Sequence, residues 1–136
     1  MATFTFTNDT GMAITGGPHT QSLDVYGTLG TITDVNINLT GLVHSWAGDL
    51  DMLLIAPDST TNLEFLSDVG SSSDFNGDYV FDFGSDSLMI ENPDGDILEG
   101  TYASSTTDDT ETADSYGLTN VVINRSDPLT LSLIHI

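Results

Sequence analysis

Short apolar runs, some alternating and some continuous, recur along the chain, each closed by Gly, Asn, Asp or Ser. None of them holds a helical period for long. Val35-Asn36-Ile37-Asn38-Leu39 alternates strictly and puts Val35, Ile37 and Leu39 on one face of a strand. Leu50 to Ala56 is apolar except for Asp51 and predicts a central strand buried on both sides. Leu63 to Leu66 follows the same logic, and so does Tyr79 to Phe83, where Tyr79, Phe81 and Phe83 share a face. Weaker strand signals lie at Phe4 to Thr7, Leu23 to Tyr26, Leu88 to Ile90 and Val121 to Asn124.

The breakers between these runs predict turns. They are Gly16-Gly17-Pro18, Ala56-Pro57-Asp58, Asn76-Gly77 and Asn92-Pro93-Asp94-Gly95-Asp96. Ala103 to Ser115 is polar, acidic and Thr-rich, and predicts an exposed loop. Many short strands with regular turns predict an all-β fold, a β-sandwich of jelly-roll type. At 136 residues, of which 38% are hydrophobic, the chain has the size and content of one domain with one core.

Charge changes the picture. Twenty-one Asp and Glu stand against the single basic residue Arg125, a net charge of −20. Nucleic acid is a poor partner because one basic residue cannot displace the counterions from a run of phosphates. Anionic membrane surfaces are excluded on the same ground, and no apolar run reaches the ~20 residues that span a bilayer. Two settings fit such acidity: high salt, or a calcium-rich extracellular medium. There are no cysteines, so neither a disulfide framework nor a thiolate metal site is possible. Once His135 in the last six residues is set aside, the two scattered histidines His19 and His44 make a poor zinc set.

Within the acidic population, Asp49, Asp51, Asp68, Asp74 and Asp78 lie in or beside turns that flank predicted strands. Oxygen-only ligands suit a hard cation, which makes these five the candidate metal ligands and Ca²⁺ the candidate cofactor. Asp51 stands out because it interrupts an apolar run. Buried, it needs a metal or backbone donors; at a strand edge it reaches solvent. No Gly-x-Ser-x-Gly elbow occurs, His44-Ser45 are only sequence neighbours, and the reading is non-enzymatic.

The segment Ile32 to Pro57 contains an alternating strand, His44, Gly48-Asp49-Leu50 and an apolar strand ending in Ala56-Pro57. Leu63-Glu64-Phe65-Leu66-Ser67-Asp68-Val69-Gly70 and Phe81-Asp82 follow. This pattern resembles the P domain, or P/Homo B domain, of proprotein convertases and bacterial subtilisin-like proteases. The resemblance spans about Phe4 to Tyr116, with its specific core in residues 32–83. It implies a galactose-binding-domain-like jelly roll, secreted or at the cell surface, that packs against a neighbouring catalytic domain and assists its stability. A calcium-rigidified module of a surface or adhesive protein is the alternative. A carbohydrate-binding module with Trp46 and Tyr26 as stacking platforms is a further one.

The family usually closes with an Asn-Gly-x-Trp strand, which has no counterpart here. The expectation is therefore a domain over residues 1–130 whose closing strands are missing. Leu131 to Ile136 match one reading frame of a transposase adapter used in shotgun libraries and are read as carrying no biology.

Overall fold

The computed structural model describes residues 2–27, 31–92 and 95–106. Six strands form there: β1 (Asn36–His44), β2 (Met52–Ile55), β3 (Asn62–Ser67), β4 (Phe75–Asp82), β5 (Gly100–Tyr102) and β6 (Ser105–Thr106). They make two three-stranded sheets, ordered β1-β4-β5 and β2-β3-β6. The pairs β1–β4 and β2–β3 are antiparallel, while β4–β5 and β3–β6 are parallel. One core joins the sheets. Phe75, Tyr79 and Phe81 of β4 cluster with Phe65 and Leu66 of β3, and the rings of Phe65 and Phe81 meet edge to face at 5.0 Å. Among the described residues the fold is thus all-β, two sheets sharing one core.

In β1 the half-buried residues are Ile37, Leu39, Leu42 and His44, a spacing that strict alternation does not produce. The register explains it. Leu39 pairs with Tyr79 but Leu42 pairs with Gly77, so Thr40 and Gly41 together oppose Asp78. This one-residue bulge shifts the apolar phase and returns Leu42 to the core side. Gly41 takes a φ of 63°, a left-handed conformation that side chains oppose, and the Asp78 carboxylate accepts its N–H at 2.8 Å.

A second bulge lies in β3. Met52 pairs with Leu66 and Leu53 with Glu64, which leaves Phe65 as the extra residue. Both Phe65 and Leu66 then reach the core cluster.

Several sequence expectations are met. Ile37 and Leu39 share the core side of β1, and Tyr79 and Phe81 are fully buried on β4 with half-buried Phe83 packed against the same cluster. Ala56-Pro57-Asp58 opens the β2–β3 hairpin, where the Ala56 carbonyl accepts from Ser59 N–H at 2.9 Å. The Gly95 N–H bonds to the Asn92 carbonyl at 3.0 Å, while Pro93 and Asp94 of that breaker lie outside the described residues.

Others are corrected. The doubly buried central strand is β3 and not Leu50 to Ala56. The ordered strand there is only Met52–Ile55, half-buried because it has one hydrogen-bonded neighbour among the described residues. Asn76-Gly77 is not a turn but the interior of β4. A Cβ on Gly77 would come within 2.3 Å of the exposed Glu99 carboxylate that lies across the strand, so a larger residue there requires that side chain to move aside.

Phe4 to Thr7, Leu23 to Tyr26 and Leu88 to Ile90 form no strand. In the N-terminal segment side chains bond to backbone instead, with the Asn8 amide donating to the Ser22 carbonyl and the Gln21 amide to that of Thr10. Ser105–Thr106, expected in a loop, form β6. Residues 107–115, the Val121 to Asn124 signal and Leu131 to Ile136 lie outside the described residues.

Candidate functional site

A 3₁₀ turn, Ala47–Asp49, joins the end of β1 to β2 and carries the central motif across from one sheet to the other. Its entry is strained: Trp46 has a φ of 143°. The His44 ring holds the bend by donating from Nδ1 to the Trp46 carbonyl at 3.0 Å, a carbonyl being able only to accept. The turn is then pinned to the loop that precedes β4. Ala47 N–H donates to the Ser73 carbonyl at 2.7 Å and Gly48 N–H to that of Ser71 at 2.9 Å. A Cβ on Gly48 would sit 3.2 Å from the Ser71 backbone, so glycine permits this contact by its size. Ala47 and Leu50 are buried on either side, and Ala56 is buried at the far end of β2.

The five candidate carboxylates fall around this crossover. Asp49 ends the 3₁₀ turn and is exposed; Asp51 is exposed in the residue before β2. Asp68 follows β3, half-buried, with a φ of 52° and the Ser67 hydroxyl at 3.5 Å. Because Met52 pairs with Leu66, Asp51 and Asp68 lie at the same end of the β2–β3 pair. Asp74 is exposed before β4, and its carbonyl accepts from Ile97 N–H at 2.8 Å. Asp78 is on the other sheet, with its carboxylate engaged by Gly41. Among the described residues, no three of His, Asp or Glu are gathered to hold a metal ion. The five do not form one coordination sphere. Asp51 takes the solvent-facing position of the two that its sequence setting leaves open.

The structure singles out acidic residues that sequence reasoning passed over. Glu64 is fully buried in the middle of β3, with Asn62 and Ser67 buried on the same strand. Its signal was available, for it interrupts Leu63-Phe65-Leu66 as Asp51 interrupts its own run. Asp58 closes the β2–β3 hairpin: Oδ1 accepts from Thr60 and Thr61 N–H at 2.8 and 2.7 Å, and Oδ2 from the Thr61 hydroxyl at 2.5 Å. These bonds, the Thr61 hydroxyl first, lower its pKa to about 2. Glu99 crosses β4 and accepts from Asp78 N–H at 2.8 Å. The Tyr79 hydroxyl donates to the Ile97 carbonyl and accepts from Asn76 N–H, and burial pushes its pKa up.

On the surface, Ile90, Leu98 and Tyr102 line a shallow groove with Glu91 and Asn92. Trp46 and Tyr26 are both exposed, and Tyr26 stands edge to face with Phe6 at 5.7 Å. No helix among the described residues is long and apolar enough to cross a membrane. Comparison with protein-family models, with curated proteins and with solved structures gave no match.

Proposed function

We propose that this chain is a non-catalytic accessory domain of a secreted subtilisin-like protein, a jelly-roll sandwich of the P-domain type. In this reading it packs beside a catalytic domain and stabilises it, and peptide hydrolysis belongs to that neighbour. The observation that carries the reading is the use made of the motif residues. His44, Gly48, Leu50 and Ala56 build and pin the crossover between the two sheets, so the motif acts as framework. Its His spends Nδ1 on a backbone carbonyl and orients no nucleophile through that nitrogen.

The parent gene tests this directly. A subtilisin-type Asp, His and Ser set encoded beside the domain supports the proposal, and tandem copies without a protease replace it with the surface-protein reading. The isolated chain should leave casein and peptide esters at background, whereas hydrolysis abolished by His44→Ala overturns the accessory role. The exposed Trp46 and Tyr26 favour carbohydrate binding as a second reading. Trp46 is the only tryptophan, so saturable quenching of its fluorescence by a polysaccharide would establish that reading.

Calcium enters the proposal through the Asp51 and Asp68 end of β2–β3. With a Kd on the order of 0.1 mM, millimolar Ca²⁺ adds about 1.4 kcal/mol, a rise of roughly 3–8 °C in Tm. No shift beyond sodium at matched ionic strength removes calcium from the proposal.

A further inference from the structure

Asn76-Gly77 is the only Asn-Gly pair in the chain, and the structure uses it in an unusual place. It lies inside β4, where Val43 pairs with Asn76 and Leu42 with Gly77. We infer that Asn76 is a latent deamidation site which the folded strand holds closed and unfolding opens. The chemistry needs no partner but water. The Gly77 amide nitrogen, giving up its proton, attacks Asn76 Cγ and forms a C–N bond. The Cγ–Nδ2 bond breaks, and the side-chain nitrogen leaves as ammonia. Water then opens the five-membered imide at either carbonyl, giving aspartate or isoaspartate. Glycine makes this step easy because no side chain shields its nitrogen, and Asn76 is exposed to the water required.

The fold opposes the first step at several points. Ring closure must swing the Gly77 nitrogen toward Asn76 Cγ, away from the extended backbone of a strand. The Asn76 N–H is held by the Tyr79 hydroxyl at 3.1 Å, and its side-chain amide donates to Asp96 Oδ2 at 2.9 Å. Glu99 lies across Gly77 and is bonded to the next residue's N–H. Leaving this geometry means opening β4 between Phe75 and Tyr79, both fully buried.

Once formed, the products cannot restore the native contacts. Aspartate at this position replaces the amide donor with a carboxylate facing Asp96, in a chain already at −20. Isoaspartate adds a methylene to the backbone between Phe75 and Tyr79 and puts one of the two out of register with β1. Deamidation at Asn76 therefore makes each excursion to the open state partly irreversible.

The test incubates the full chain at mildly alkaline pH, folded in buffer and unfolded in urea, and follows the amide-to-acid mass change by peptide mapping. Conversion at Asn76 should be more than about tenfold slower in the folded arm, because it proceeds from the small open population. Gly77→Ala, compared only in urea, should slow the reaction there, since a side chain now shields the nitrogen. Asn76→Asp should lower Tm by about 2–8 °C, more at low salt. Equal rates in the two arms, an unfolded rate unchanged by Gly77→Ala, or an unaltered Tm for Asn76→Asp each overturn the inference.

Discussion

The middle strands of the two sheets are buried in different ways. In β4 burial alternates: Phe75, Tyr79 and Phe81 are fully enclosed while Asn76 and Asp78 face water. In β3 all six residues are buried, including Asn62, Glu64 and Ser67. A one-sided strand keeps its polar residues solvated, so β4 can use them locally, Asp78 to fix a bulge and Asn76 to reach Asp96. A two-sided strand must satisfy each polar atom inside the protein. Among the described residues no buried side-chain nitrogen or oxygen lacks a hydrogen-bond partner. The energetic weight of β4 therefore sits in packing, and that of β3 is shared between packing and polar satisfaction.

The largest effect should come from the packing side of this contrast. Phe81→Ala removes a fully buried ring that meets Phe65 across the core, and should destabilise by about 3–5 kcal/mol in urea unfolding. A loss below about 1 kcal/mol would mean that the two sheets do not share this core.

Glu64 probes the polar side. Glu64→Gln keeps the shape but exchanges the carboxyl group for an amide at a fully buried, hydrogen-bonded position, with an expected cost of about 1–3 kcal/mol. Asp86→Asn, at an exposed position, should change stability by no more than about 0.5 kcal/mol. Equal effects at the two positions would erase the distinction between the strands.

The same contrast governs how much was legible in the sequence. Tyr79, Phe81 and Phe83 alternate because β4 has a wet side, and a period of two is what a sequence displays best. Continuous apolar runs carry no such phase. Leu50 to Ala56 and Leu63 to Leu66 look alike as strings, and only hydrogen-bonded neighbours make β3 the middle strand. Asn76-Gly77 reads as a turn from local chemistry alone; what overrides it is pairing with Val43 and Leu42 of β1, distant in sequence. The candidate carboxylates are divided between the sheets for a related reason. Nearness to turns places Asp51 and Asp68 at one end of a hairpin, but Asp78 belongs to the other sheet.

The bulge in β1 sharpens the account of β4's wet side. Gly41→Ala forces a side chain into a left-handed conformation and should cost about 1–2 kcal/mol. Asp78→Ala removes the carboxylate that accepts the Gly41 N–H and should cost about 0.5–1.5 kcal/mol. Both act on one structure, so the double variant should lose less than the sum. Full additivity in denaturant titrations would show that Asp78 is only a solvated surface charge.

The smallest effect is expected at Asp58, in the hairpin that enters β3. Its carboxylate accepts three hydrogen bonds in the folded chain, which lower its pKa from 3.8 to about 2. The folded state therefore binds a proton less readily than the unfolded chain. The resulting stabilisation is fully present above 3.8 and is lost as pH falls from there through about 2. Asp58→Ala should be less stable than the parent at neutral pH, with the gap narrowing across this window. The group is fully exposed, so water competes for the same bonds and the contribution is modest. Paired thermal scans of the two proteins on either side of the window would measure it. A gap that stays constant down to pH 2 would assign the loss to turn conformation, leaving the hairpin carboxylate without a part in acid stability.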